Sequence, residues 1–155
     1  MAFVYRKLTQ EERAYIASFK IRSILSTGLA AVPRNASVDE ERGMYFFALE
    51  GQGYRNGEYD APPTWCSFIW NGDVFRITIY FTRERKEDGT LHGFYRVVTI
   101  YAPEEYEGRE EEFIQAIQEA IFEYAKEWGC TSMEFSEMAR PLFVDFDISQ
   151  TGSYA

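Results

Sequence analysis

The clearest alternation of hydrophobic and polar positions lies between residues 65 and 101. Apolar side chains alternate with polar ones from Phe75 to Phe81, which is the period-two pattern of a half-buried strand. A second alternating run ends at Trp70, and Asn71-Gly72 separates the two runs. This pair tolerates positive φ at both central positions of a type I′ turn, so it predicts a β-hairpin. A third run, Phe94 to Tyr101, extends the prediction to three antiparallel strands.

The longest helical pattern follows, from about residue 110 to residue 128. Three glutamates stand in its first turn, where the helix dipole favours carboxylates, and Gly129 can close its last turn. Because a long apolar stripe must be buried, we expect this helix to pack on one face of the sheet. The stripe consists of Phe113, Ile114, Ile117, Ala120, Ile121, Tyr124, Ala125 and Trp128.

Shorter patterns lie on both sides of this central part. Thr9 followed by Glu12 matches a capping box and predicts a first helix from about residue 10 to residue 27. We expect a loop over residues 29–42. Further strands are predicted at Met44–Leu49, around Met133–Phe135 and at Val144–Ile148.

These elements predict a single α+β domain over residues 1–155. It comprises an antiparallel meander of four to six strands, an N-terminal helix and one long amphipathic helix packed on one face. A hydrophobic content of 46% excludes a disordered chain, and no apolar run reaches the length that spans a membrane. The first residues lack the pattern of a signal peptide, so we expect a cytoplasmic protein.

The charge is unevenly distributed along the chain. The net charge is −9, with +2 over residues 1–42 and −10 over residues 101–155. A negative field repels nucleic acid and anionic lipid, whereas it accelerates association with basic proteins. The charge therefore disfavours direct nucleic-acid binding and favours a basic protein as partner.

No assembled catalytic motif is present in the sequence. His92 is the only histidine, and we expect it to be exposed beside a turn. Gly51-Gln52-Gly53 is too short for a dinucleotide fingerprint. We therefore predict no catalytic site, no metal and no cofactor, with Asp145 and Asp147 left open as a carboxylate pair that could hold a cation.

The densest charge cluster precedes and begins the second helix. Six carboxylates fall within nine residues and two tyrosines lie nearby, a combination that suits a contact surface for a basic protein. A solvated helix start would produce the same pattern. The predicted partner-binding residues are Tyr101, Glu104, Glu105, Tyr106, Glu107, Glu110, Glu111 and Glu112.

A second candidate contact surface is the long loop over residues 51–63. It combines glycine, tyrosine and charge, and loops of this length in compact domains are often functional. Its candidate contact residues are Tyr54, Arg55 and Tyr59.

These features favour a non-enzymatic binding protein that neutralises a basic protein partner. An immunity protein for a bacterial toxin and an anti-defence inhibitor are examples of this class. The alternative is a small-molecule-binding domain or small enzyme that uses the 51–63 loop as a lid over an aromatic sheet face. An exposed edge strand would also permit a homodimer.

Overall fold

The computed structural model describes residues 3–18, 33–48, 54–56, 59–61 and 65–144, with the backbone alone for 54–56, 59–61 and Trp65. These residues form a mixed α/β fold with a curled eight-stranded sheet, a two-stranded sheet and two α-helices. The strands are β1 Val4–Lys7, β2 Asn35–Asp39, β3 Met44–Ala48, β4 Tyr54–Asn56, β5 Tyr59–Ala61, β6 Trp65–Trp70, β7 Asp73–Arg85, β8 Leu91–Pro103, β9 Cys130–Met138 and β10 Leu142–Val144. The helices are α1 Gln10–Ala17 and α2 Glu110–Tyr124, and 3-10 turns cover Glu104–Tyr106 and Ala125–Trp128.

The predicted central hairpin is present as β6 and β7. Asn71 has φ +50° and Gly72 has φ +85°, the two positive angles that the sequence pair was expected to adopt. β7 then pairs with β8 over most of the length of both strands, so the predicted three-stranded antiparallel unit is confirmed.

The rest of the sheet differs from a simple meander. Its order is β1-β2-β3-β6-β7-β8-β10, and β9 also pairs with β8. The last two strands run parallel to β8, because the chain crosses over through α2 before it returns to the sheet. The predicted antiparallel pairing therefore holds in this sheet only for β1, β2, β3, β6, β7 and β8.

The long amphipathic helix packs on one face of the sheet, as predicted. Six of its residues are buried, and the Phe113 ring lies 5.2 Å from the ring of Phe75 on β7. Ser37 of β2 donates a hydrogen bond of 2.8 Å from Oγ to the Ala120 carbonyl, which ties the far side of the sheet to the same helix. Gly129 closes the helical segment with φ +80°.

The first helix lies on the opposite face. Its capping box is present, with Glu12 N–H donating to Thr9 Oγ1 and Thr9 N–H donating to Glu12 Oε1. Its buried residue, Ile16, belongs to a small second core. The other buried members of that core are Leu8, Ala36, Val38, Phe47, Ile69 and Val74. The predicted continuation of this helix from residue 19 lies outside the described residues.

Two further expectations are corrected by the backbone, and a third falls largely outside the described residues. The predicted loop at 29–42 contains β2, whose short alternation of Ala36 and Val38 with polar residues was too weak to recognise. The 51–63 loop contains the hairpin β4–β5. The last described strand ends at Val144, so most of the predicted strand at 144–148 lies outside the described residues. None of the helices that the structure describes is long and apolar enough to cross a membrane.

Candidate functional site

The predicted acidic cluster begins where β8 ends. The chain leaves Pro103, passes through the 3-10 turn Glu104–Tyr106, and is redirected at Gly108 before α2 starts. Gly108 has φ +94°, a conformation that residues with a side chain rarely adopt. The sequence therefore specifies a sharp turn between the strand and the helix.

Three carboxylates of this turn point into solvent. Glu104, Glu105 and Glu107 are exposed, and none of them forms a side-chain hydrogen bond or ion pair with another described residue. We call these three residues the acidic turn. Like charges held close together on one short segment repel one another, and an external cation would relieve that repulsion.

Tyr106 anchors the acidic turn to the core. Its side chain is only 4% exposed, and its hydroxyl donates a 2.8 Å hydrogen bond to Asp73 Oδ2. Burial, together with the hydrogen bond to the Asp73 carboxylate, raises the pKa of Tyr106 above its ordinary value. The ring packs 4.9 Å from the Phe75 ring. The backbone that carries the three glutamates is thus fixed by a buried side chain, and Tyr106 itself offers little contact area to a partner.

Arg109 covers the outer side of this anchor. Its guanidinium lies 4.6 Å from the Trp70 ring centroid and 5.1 Å from that of Tyr106. The same side chain forms a 3.2 Å ion pair with Glu112, three residues further along. Arg109 is therefore held by contacts with Trp70, Tyr106 and Glu112.

The glutamates in the first turn of α2 are matched by cations of the chain. Arg140 reaches Glu110 at 3.0 Å and Glu111 at 3.8 Å, while Glu112 pairs with Arg109. These exposed pairs are weak, because solvent screens them. Even so, the predicted cluster divides into a paired half on α2 and an unpaired half on the acidic turn.

Tyr101 was predicted to bind the partner together with the glutamates, but it lies on a different face of the sheet. Its neighbours Ile100 and Ala102 point into the core beneath α2, so Tyr101, which is half-buried, faces the other side of the sheet. Tyr101 pairs with Arg76 on β7 and with Leu142 on β10. The structure does not bring it onto the same face as α2.

The loop residues named from the sequence lie on the β4–β5 hairpin. Tyr54 pairs with Ala61, Arg55 with Asp60, and Asn56 with Tyr59. The side chains of this hairpin lie outside the described residues, so their role as contacts stays a prediction.

Sequence reasoning missed a row of three hydrogen-bonded side chains, Ser132, His92 and Glu134. His92, expected to be exposed, is half-buried on β8, with Nδ1 2.7 Å from Ser132 Oγ and Nε2 3.0 Å from Glu134 Oε1. Serine, histidine and carboxylate in this order occur in acyl-transfer sites. Here the Glu134 side chain is 60% exposed, so water competes for its hydrogen bond. We therefore assign these three side chains a structural role, in which they support the pairing of β8 with β9. No local signal predicts it, because the partners are 40 residues apart or more.

No cluster suited to a metal ion occurs in the part of the chain that the structure describes, where no three His, Cys, Asp or Glu side chains converge. Asp145 and Asp147 lie outside that part. Both cysteines are free and buried, and burial raises the pKa of the Cys66 thiol, so neither position has the features of a reactive thiolate.

Comparisons of the chain with protein-family models, with curated proteins and with solved structures found no match.

Proposed function

We propose that this chain is a non-enzymatic binding protein that neutralises a basic protein partner through the acidic turn, as an immunity protein or an anti-defence inhibitor does. The observation that carries the proposal is the set of three exposed carboxylates, Glu104, Glu105 and Glu107, on a turn fixed by a buried tyrosine. A cytoplasmic location and a protein partner are parts of the same proposal.

The fixed backbone supports a binding role. Ordering a flexible segment on association costs conformational entropy, and a segment that is already ordered avoids that cost. Tyr106 holds the acidic turn through its buried ring and its hydrogen bond to Asp73. Arginine or lysine side chains of a partner would therefore meet carboxylates whose positions are already set.

The distribution of charge supports the sign of the partner. The glutamates of α2 have cations of the chain beside them, whereas those of the acidic turn have none among the described residues. Helix α2 does not need the three turn carboxylates in order to form, since its own first turn already holds Glu110, Glu111 and Glu112. The charge on the turn thus exceeds what folding requires.

The test compares two double substitutions with the same change of charge. Glu104→Lys with Glu107→Lys replaces two of the three glutamates of the acidic turn. Glu84→Lys with Glu87→Lys replaces two exposed glutamates, one in β7 and one just beyond its end. Each change adds four charges and takes the net charge from −9 to −5. Proteins captured from an extract of the native host by each variant and by the unchanged chain are compared, and association rates are measured on the captured partner.

We expect the turn variant to slow association by about tenfold or more and the control to change it by about twofold or less. Raising salt from about 0.05 M to about 0.5 M should weaken capture by the unchanged chain, because exposed charges are then screened. Equal effects of the two variants, or capture that is indifferent to salt, would refute the assignment to the acidic turn.

A further inference from the structure

A basic cleft lies at the opposite end of the sheet from the acidic turn. It has a volume of about 620 Å³ and is lined by Lys7, Leu8, Thr9, Gln10, Arg13 and Arg34. Its two walls are the junction between β1 and α1 and the segment that leads into β2. The walls are joined by a 2.7 Å hydrogen bond from the Leu8 N–H to the Arg34 carbonyl and by one of 3.3 Å from Arg13 Nε to the Pro33 carbonyl.

The charge of this cleft contrasts with that of the chain. Of the six described residues that line it, three are cations and none is a carboxylate, although the chain has 25 acidic and 16 basic residues. Lys7 and Arg34 are exposed and form no side-chain hydrogen bond or ion pair with other described residues. Glu12 lies in α1 beside Arg13, but its carboxylate forms an ion pair with Arg6 at 2.8 Å and does not line the cleft.

The lining also restricts the kind of ligand. Among the described residues of the lining, Leu8 is the one apolar residue and none carries an aromatic ring, so this part of the chain offers neither a hydrophobic floor nor a surface on which a base could stack. Guanidinium groups pair with phosphate in a bidentate manner, and lysine adds a point charge. A long polyanion would also be repelled by the chain's net charge of −9, whereas a compact one contacts the cleft alone.

From these features we propose that the cleft formed by Lys7, Arg13 and Arg34 binds a small molecule carrying two or more phosphate groups. The cleft volume falls within the range of ordinary small-molecule sites and accommodates such a group together with its hydration. This site is independent of the acidic turn and of its proposed partner.

The test uses inorganic tripolyphosphate as probe and isothermal titration at fixed ionic strength. The variant Lys7→Gln with Arg34→Gln removes two cations of the cleft. The control, Arg85→Gln with Lys86→Gln, removes two exposed cations, the last residue of β7 and the one that follows it. All three proteins are first compared by circular dichroism and thermal unfolding, since the four side chains are exposed and their replacement should leave the fold intact.

We expect the unchanged chain and the control to bind tripolyphosphate with affinities within about twofold of each other, and the cleft variant to bind at least about tenfold more weakly. Absence of binding to the unchanged chain overturns the proposal, as does an equal loss in both variants. A single-stranded oligonucleotide that displaces tripolyphosphate at lower phosphate concentration would assign the cleft to nucleic acid and overturn it as well.

Discussion

The two α-helices that the structure describes both begin with carboxylates, but they use them differently. At α1 the Glu12 side chain accepts hydrogen bonds from the Thr9 N–H at 2.9 Å and from the Arg6 guanidinium at 2.8 and 2.9 Å. At α2 the N-cap position is Arg109, whose side chain makes no cap hydrogen bond. The carboxylate at the first helix thus completes local structure, whereas α2 starts without such a cap and is preceded by the acidic turn.

The contrast extends to the surroundings of each helix start. The start of α1 lines a cleft with three cations, and the start of α2 follows three exposed glutamates. The two helix starts lie at opposite ends of the sheet. Lys7, just before α1, pairs with Asn35 at one end of β2. Tyr106, just before α2, packs against Trp70 at the other end, where β6 turns into β7. An acidic protein can therefore carry surfaces of both signs when the fold separates them.

The largest expected effect is at the first helix start. Replacing Glu12 by Ala removes both the capping interaction and the pair with Arg6, which should lower the free energy of unfolding by about 2–3 kcal/mol. Glu12→Gln is the matched control, since glutamine keeps one oxygen for the Thr9 N–H but loses the charge and the second oxygen that accepts from Arg6. Urea unfolding at neutral pH should rank the proteins as wild type, then Glu12→Gln, then Glu12→Ala.

The same site predicts a pH dependence with a definite sign. The hydrogen bonds from Arg6 lower the pKa of Glu12 to about 2, from 4.5 in the unfolded chain. A lowered pKa stabilises the fold above 4.5, and this contribution is lost as the pH falls towards 2. The stability difference between wild type and Glu12→Gln should therefore shrink between about pH 5 and pH 2. A difference that stays constant over this range would contradict the assignment.

A smaller effect is expected at the anchor of the acidic turn. Tyr106→Phe keeps the ring and removes the hydroxyl that donates to Asp73, which should cost about 1–2 kcal/mol of unfolding free energy. Tyr80→Phe serves as the control, because that side chain is 51% exposed and should change stability by less than about 0.5 kcal/mol. Equal values for the two variants would mean that the Asp73 contact does not hold the turn.

The smallest expected change in stability distinguishes glutamates that serve binding from glutamates that serve folding. Glu104→Gln with Glu107→Gln removes two exposed carboxylates that form no side-chain hydrogen bond or ion pair with other described residues, so the free energy of unfolding should stay within about 0.5 kcal/mol of wild type. Chemical denaturation at low salt is the appropriate measurement. A loss above about 1 kcal/mol would give these glutamates a structural role and weaken their assignment to a partner.

Several elements could be predicted from the sequence because their signals are local. The Asn71-Gly72 pair determines its turn through its own backbone preferences, and the Thr9–Glu12 capping box spans four residues. The stripe on α2 repeats within one helix. Short strands such as β2 could not be predicted, because a run of five residues that includes polar side chains shows little hydrophobic periodicity.

The candidate site was predictable only in part. The sequence shows that carboxylates are dense around residues 104–112, but it does not show that Tyr106 is buried or that Arg140 pairs with Glu110 across 30 residues. The same limit applies to His92, whose partners lie on the neighbouring parallel strand. Contacts of this kind depend on which strands pair, and short-range sequence patterns do not determine strand pairing.

By itself, then, the sequence determined the hairpin, the two helix starts and the sign of the charge in each part of the chain. The tertiary structure alone decided which glutamates are matched, which tyrosine is an anchor and where the basic cleft lies. The cleft illustrates the reason, because its walls meet through a hydrogen bond between Leu8 and Arg34, residues far apart in the chain. Charge and turn preference belong to individual residues, whereas a surface belongs to segments that only folding brings together.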